Sequence, residues 1–220
     1  MRDDGRIVSD WGVPTSGIAG VTHLMSSLFT EPVLVVVQRR EMFDTSANYT
    51  IHHPQGAPLA HVTEEASTAK KVVRFLSKMD DKLGRTLHVT DPAGTPLLTI
   101  RKDFAFAMPK TNVFGPQGEP VGQISKDMSF FKPKFTLEAP GDQPVATISG
   151  DFFSREFGIV DMNGVELARI TKRFAGLQEL FTEADRYVMQ MVQDVQGPFR
   201  ALIVATSIAV DIVLHENANT

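Results

Sequence analysis

The chain of 220 residues contains no cysteine. That absence removes disulfides, thiolate metal sites, cysteine nucleophiles and S-palmitoylation together. It fits a reducing compartment. Excess positive charge is missing too. The net charge is −4, so the chain as a whole is not a polyanion binder, and nucleic acid is not an expected partner. The start, Met1-Arg2-Asp3-Asp4-Gly5, lacks the apolar core of a secretory signal, and a cytoplasmic location is expected. No phosphate loop, nucleophile elbow or dinucleotide fingerprint occurs. A non-enzymatic protein without catalytic residues is therefore expected.

Long hydrophobic runs are scarce as well, with one exception. Ala201 to Val210 carries no charge, and Pro198 suits the first turn of a helix, where its missing N–H costs nothing. Apolar residues cover nearly the whole circumference of a helix over 198–214. Only Arg200, Ser207, Asp211 and His215 make a polar seam, within about 80° of one another. A helix this apolar is buried, in protein or in lipid. Pro198 to Leu214 spans roughly 25 Å at about 1.5 Å per residue, and Asp211 interrupts it. A membrane span needs about 20 apolar residues. The expectation is a core helix.

Residues 1–16 mix charge, Gly and Pro and read as a flexible arm; 17–220 read as one domain. Ile18, Val21, Met25 and Leu28 recur at helical spacing and suggest a short amphipathic helix. The period then changes to two. Val33-Leu34-Val35-Val36-Val37 is a β-branched run apolar enough to be buried on both faces. A repeated unit follows, in which an apolar strand leads into a glycine turn and a second, alternating strand. Asp91-Pro92-Ala93-Gly94-Thr95-Pro96-Leu97 is one copy, and further copies centre on Gly56, Gly118, Gly141 and Gly164. Five hairpins plus Val33–Gln38 and Tyr187–Gln193 give about twelve strands. Closing them into a barrel removes the sheet edges. A bore of that size exceeds what strand side chains fill, since about eight strands is the size they close. The expected fold is mostly β: a twelve-stranded closed barrel plugged by the 198–214 helix, with Leu97, Val121, Val145 and Leu167 packed on it.

The C-terminal third resembles the phospholipid scramblase family, and more distantly the LURP-one-related proteins and the tubby C-terminal domain. The carrying residues are Lys132-Pro133-Lys134-Phe135-Thr136, Ile170-Thr171-Lys172, Phe181-Thr182-Glu183-Ala184-Asp185-Arg186-Tyr187 and Ala209-Val210-Asp211-Ile212. The hairpin series extends the likeness over roughly 28–216. The resemblance implies a twelve-stranded barrel around a central C-terminal helix. It implies a lipid-interacting protein, peripheral at the inner face of the plasma membrane, that moves phospholipids between leaflets without energy input. It also raises calcium, held by a segment starting at Glu183. A calcium loop wants oxygen ligands at positions 1, 3, 5, 9 and 12 and glycine at 6. Here these are Glu183, Asp185, Tyr187, Met191 and Asp194, with Val188 at the sixth place. Two oxygen ligands and the glycine are gone, which argues against a calcium site, and no other cofactor is implied.

Other residues admit a functional and a plainer reading. Lys70, Arg74, Lys78 and Lys82 are spaced by four, with Lys71 and Arg85 nearby. On a helix this basic stripe would suit an anionic phospholipid surface; it also fits a solvated face, or a strand over 72–76. Asp211 lies one turn from Ser207 and from His215, so the seam is either a hydrogen-bonded ladder or a polar lining at the barrel mouth. His52 and His53 are adjacent and point to opposite faces of a strand, which excludes a shared metal. Three functional classes stay open: a scramblase-like lipid-interacting barrel, a soluble scaffold with a protein partner, and a small-molecule carrier. Oligomeric state is not legible.

Overall fold

Four of the five repeated glycine units form the same turn. In the computed structural model, Gly56, Gly94, Gly118, Gly141 and Gly164 all have φ between +83° and +92°. At Gly94, the N–H bonds back to the Asp91 carbonyl at 3.0 Å while the Asp91 N–H bonds to Thr95 at 2.9 Å. This is a tight turn closed by a left-handed residue, a position glycine takes without penalty. Asp91 and Asp161 reinforce their turns from the side chain. Asp91 Oδ1 accepts from Ala93 and Thr95 N–H at 2.9 and 2.7 Å, and Asp161 Oδ1 from Asn163 and Val165 N–H, both at 2.8 Å. The hairpin at Ala139 differs. There the residue aligned with Gly94 is Asp142, held at φ +59°, and the glycine stands one place earlier. Aspartate is among the few side chains that tolerate this region.

The structure describes residues 7–8, 26–39, 48–65, 84–103, 110–127, 134–151, 156–171 and 186–214. The order is β1 (Ile7–Val8), α1 (Ser27–Thr30), β2 (Val33–Arg39), β3 (Asn48–His52), β4 (Pro58–Glu64), β5 (Arg85–Thr90), β6 (Pro96–Lys102) and β7 (Lys110–Phe114). It continues with β8 (Pro120–Asp127), β9 (Lys134–Ala139), β10 (Gln143–Asp151), β11 (Glu156–Asp161), β12 (Glu166–Thr171), β13 (Arg186–Met191), β14 (Val195–Gln196) and α2 (Gly197–Leu214). Strands β2 to β13 form a closed antiparallel barrel of twelve, with β13 pairing back to β2. Residues Ile7–Val8, within the N-terminal arm, pair in parallel with Val195–Gln196. Of the amphipathic helix expected from Ile18 to Leu28, only Leu28 is described, buried in the four-residue α1; the rest lies outside the described residues.

Each hairpin carries a register shift beside its turn, for instance between Val89 and Thr90 and between Ile159 and Val160. The shift follows from the turn, because a left-handed closing residue leaves one extra residue on its strand. Proline opens β4, β6 and β8, a place where no N–H is needed by the ladder.

Helix α2 runs through the bore. Phe199, Ala201 to Ala205, Ile208 and Ala209 are all buried and share one core with inward strand residues. Leu97, Val121 and Leu167 belong to that core and Val145 packs against it, as the alternation predicts. The helix packs tightly against the wall at Gly122 on β8. A Cβ there would lie 2.5 Å from the Glu138 carbonyl oxygen and 2.9 Å from Leu202 Cδ2. The Val33–Val37 run is indeed buried on both faces. Leu34 and Val36 join the main core, while Val35 and Val37 form a second cluster with Val188.

The barrel has two unlike ends. All five glycine turns and the start of α2 lie at one, the turn rim. The strand ends at Arg39, Glu64, Lys102, Asp127, Asp151 and Thr171 lie at the other, the far rim.

Candidate functional site

Of the polar seam of α2, the described residues contain the side chains of Arg200 and Ser207. Arg200 stands in the first helical turn and is only 4% exposed. Its guanidinium donates to the backbone carbonyl of Glu31, while its Nε has no hydrogen-bond partner. Burial pulls its pKa down to about 10, against the raising effect of the Asp194 and Glu31 carboxylates. A buried cation beside a helix N-terminus is doubly disfavoured, and two nearby anions offset it. Glu31 is a node in this corner. Its Oε2 lies 3.3 Å from His53 Nε2, and the Gln55 N–H bonds His53 Nδ1 at 3.1 Å. Accepting at Nδ1 leaves the proton of a neutral His53 on Nε2, facing Glu31. The corner thus ties the helix start, the linker before β2 and the first glycine turn together. Sequence reading did not anticipate Glu31. Only its place before Pro32 and a buried strand could have marked it.

Further along α2, Ser207 Oγ donates to Val204 O at 2.7 Å and Thr206 Oγ1 to Leu202 O at 2.9 Å. Both hydroxyls are satisfied within the helix, so the apolar bore meets no unpaired polar group there. The Asp211 side chain and His215 lie outside the described residues. Arg200 and Ser207 therefore make separate local contacts.

The basic residues Lys70, Lys71, Arg74, Lys78 and Lys82 lie outside the described residues, on the segment that joins Glu64 of β4 to Arg85 of β5. The strand ends it joins, Glu64 and Arg85, lie at the far rim. Glu64 and Arg85 meet there at 4.0 Å, and Lys102, 5% exposed, sits beside them in the next strand. Glu183 and Asp185 also lie outside the described residues. Asp194 is exposed between β13 and β14 and accepts from Gln196. Tyr187 to Met191, the middle of the calcium-type segment, lies in β13, with Tyr187, Met189 and Met191 in the core. An extended strand cannot wrap an ion as a loop does. Among the described residues, no three His, Asp or Glu side chains are grouped to hold a metal. His53 is engaged with Glu31 and Gln55, while His61 stands opposite Thr50 on the barrel wall. Among the described residues, no helix is long and apolar enough to cross a membrane.

Comparison with known proteins supplies a family. The family model described as Scramblase matches residues 14–217. No curated protein matches the chain. Among solved structures, the X-ray structure of a protein from Arabidopsis thaliana is similar, with a TM-score of 0.48 and 16% identity over 81% of this chain and 91% of that one.

Proposed function

Because the chain belongs to the scramblase family, we propose that it is a non-enzymatic barrel protein that binds anionic phospholipid surfaces and facilitates lipid movement between leaflets without energy input. The family match over 14–217 carries this reading. Its contact with the bilayer is assigned to Lys70, Lys71, Arg74, Lys78 and Lys82. Each Lys or Arg near an anionic surface contributes about 1 kcal/mol. Neutralising Lys70, Lys71 and Arg74 together removes about 3 kcal/mol, a weakening on the order of 100-fold. Vesicle binding of the K70A/K71A/R74A variant tests the assignment, and unchanged binding refutes it. The reading is independent of calcium, since the segment from Glu183 to Asp194 lacks the ligand pattern.

One observation favours a second reading, a soluble scaffold with a protein partner. Ala201 to Ala205 are completely buried. The helix that fills the barrel cannot cross a bilayer at the same time, and moving it out would empty the core. A chain indifferent to lipid in every assay would favour the scaffold.

A further inference from the structure

Met162, Val165 and Val192 are 59%, 40% and 46% exposed, and they are the exposed large hydrophobic side chains among the described residues. All three fall in one sector of the turn rim. Met162 and Val165 sit in the β11–β12 turn, and Val192 directly follows β13. The Val192 N–H bonds the Leu167 carbonyl at 2.8 Å, which sets Val192 beside the start of β12. Apolar residues exposed singly are ordinary on a protein surface, but a group of them gathered at one spot marks a contact face.

The backbone beneath is already fixed. Asp161 Oδ1 accepts from the Asn163 and Val165 N–H groups, both at 2.8 Å, and the Asp161 N–H bonds the Val165 carbonyl at 2.9 Å. The Leu167 carbonyl takes a second bond, from the Gln193 N–H at 3.2 Å. Hydrogen bonds hold the platform while the three apolar side chains face water. A partner therefore meets an ordered face and has little backbone to order on docking.

Charge decides the partner. The stretches 53–63, 86–100, 111–125, 135–149, 157–168 and 187–199, which build the turn rim and the strands leading to it, contain no Lys or Arg. The described turn rim carries eight carboxylates: Glu31, Asp91, Glu119, Glu138, Asp142 and Asp161, with Glu166 and Asp194. Three cations answer them. Lys110 reaches Asp142 at 3.0 Å, Arg169 reaches Glu166 at 2.8 Å, and Arg200 is buried. Beside the apolar trio stand Asp161 and Asp194, with the Glu166–Arg169 pair next to them. The N–H bonds that Asp161 accepts stabilise its carboxylate and leave its charge in place. Within a screening length of about 8 Å at physiological ionic strength, such a face repels nucleic acid and anionic headgroups and attracts Lys and Arg.

We infer that this sector of the turn rim is a docking face for a basic protein segment, one that sets apolar side chains on Met162, Val165 and Val192 and places Lys or Arg beside Asp161 and Asp194. The inference does not rest on lipid binding and holds whether or not the chain binds vesicles. The face is small, so the contact is of the weak, transient kind and is sensitive to salt.

The test uses the full chain and three short synthetic peptides of equal length, built from Lys and Leu, from Lys and Ser, and from Glu and Leu. Binding is followed by the methyl NMR signals of the barrel. The expected result is that the Lys–Leu peptide binds best and shifts the methyl signals of Met162, Val165 and Val192. The variant M162S/V165S/V192S, changed only at exposed positions and checked for folding by its melting curve, should bind that peptide roughly tenfold more weakly. Asp194→Asn and added salt should each weaken it severalfold, and these two arms carry the test if the triple variant does not fold. Absence of binding by every peptide, equal binding of the Glu–Leu peptide, shifts confined to other parts of the barrel, or unchanged affinity in the triple variant each overturn the inference. Self-association of the parent chain that the triple variant loses makes a second copy the occupant and overturns it too. Loss of phosphatidylserine-vesicle binding in the triple variant makes the face a lipid contact, with the same consequence.

Discussion

Replacing Gly122 with alanine probes the contact between barrel and helix directly. The new Cβ would stand 2.5 Å from the Glu138 carbonyl oxygen and 2.9 Å from Leu202 Cδ2, at a residue with φ +155°. Backbone cannot retreat cheaply in a closed barrel, so the strain falls on β8, on β9 and on the helix. Overpacking of this kind costs about 1–3 kcal/mol, and a non-glycine residue at such a φ adds about 1–3 kcal/mol. A total loss of about 2–6 kcal/mol is expected. For a chain of this size 1 kcal/mol moves Tm by about 2–4 °C, so the melting point should fall by roughly 4–24 °C. Urea unfolding followed by circular dichroism gives the free energy. Leu202→Ala alone should cost about 2–5 kcal/mol, since Leu202 is completely buried. Combined with Gly122→Ala it should cost less than the sum, because trimming Leu202 relieves one of the two clashes. A Gly122→Ala variant within 0.5 kcal/mol of the parent, or strictly additive effects, would refute the packing of α2 against β8.

Three further outcomes are expected. In the Lys110–Asp142 pair, the Lys110 hydrogen bond lowers the Asp142 pKa below 3.8, and the Asp142 hydrogen bond raises that of Lys110 above 10.5. Its stabilisation is therefore present between those limits, lost as Asp142 protonates below 3.8 and as Lys110 deprotonates above 10.5; Asp142→Asn and parent stability curves should converge at both extremes, and a constant offset would contradict the pairing. Asp161→Ala removes two 2.8 Å turn bonds and should cost about 1 kcal/mol in urea unfolding; no change would mean that Gly164 alone sets the turn. Deleting residues 198–220 should yield aggregated protein, since the barrel loses its core, whereas a soluble, cooperatively melting barrel would show that the strands close without α2.

Most of the architecture was legible because it rests on local signals. Turn chemistry fixed each hairpin, and spacing of 23 or 24 residues from Gly94 to Gly164 counted the later ones. The apolar circumference of 198–214 required enclosure, and the valine run at 33–37 announced a strand covered on both sides. The register shifts were not legible, since a bulge shows only when both strands are aligned. Asp142 at a left-handed position, in the place of a glycine, was hidden for the same reason. The candidate site was legible only in part. Arg200 was marked by its place on the helix, but its link to Glu31 spans 169 residues of sequence and depends on closure of the barrel. The basic stripe at 70–82 was visible as spacing. Its attachment to the far rim became visible only from the ends of β4 and β5.

The central claim, that this barrel is a lipid-surface protein, is tested most directly by flotation of detergent-free chain with neutral and with anionic vesicles, without and with calcium. The account predicts that the protein rises with anionic vesicles alone and that calcium changes nothing. Protein that stays at the bottom under every condition would contradict it.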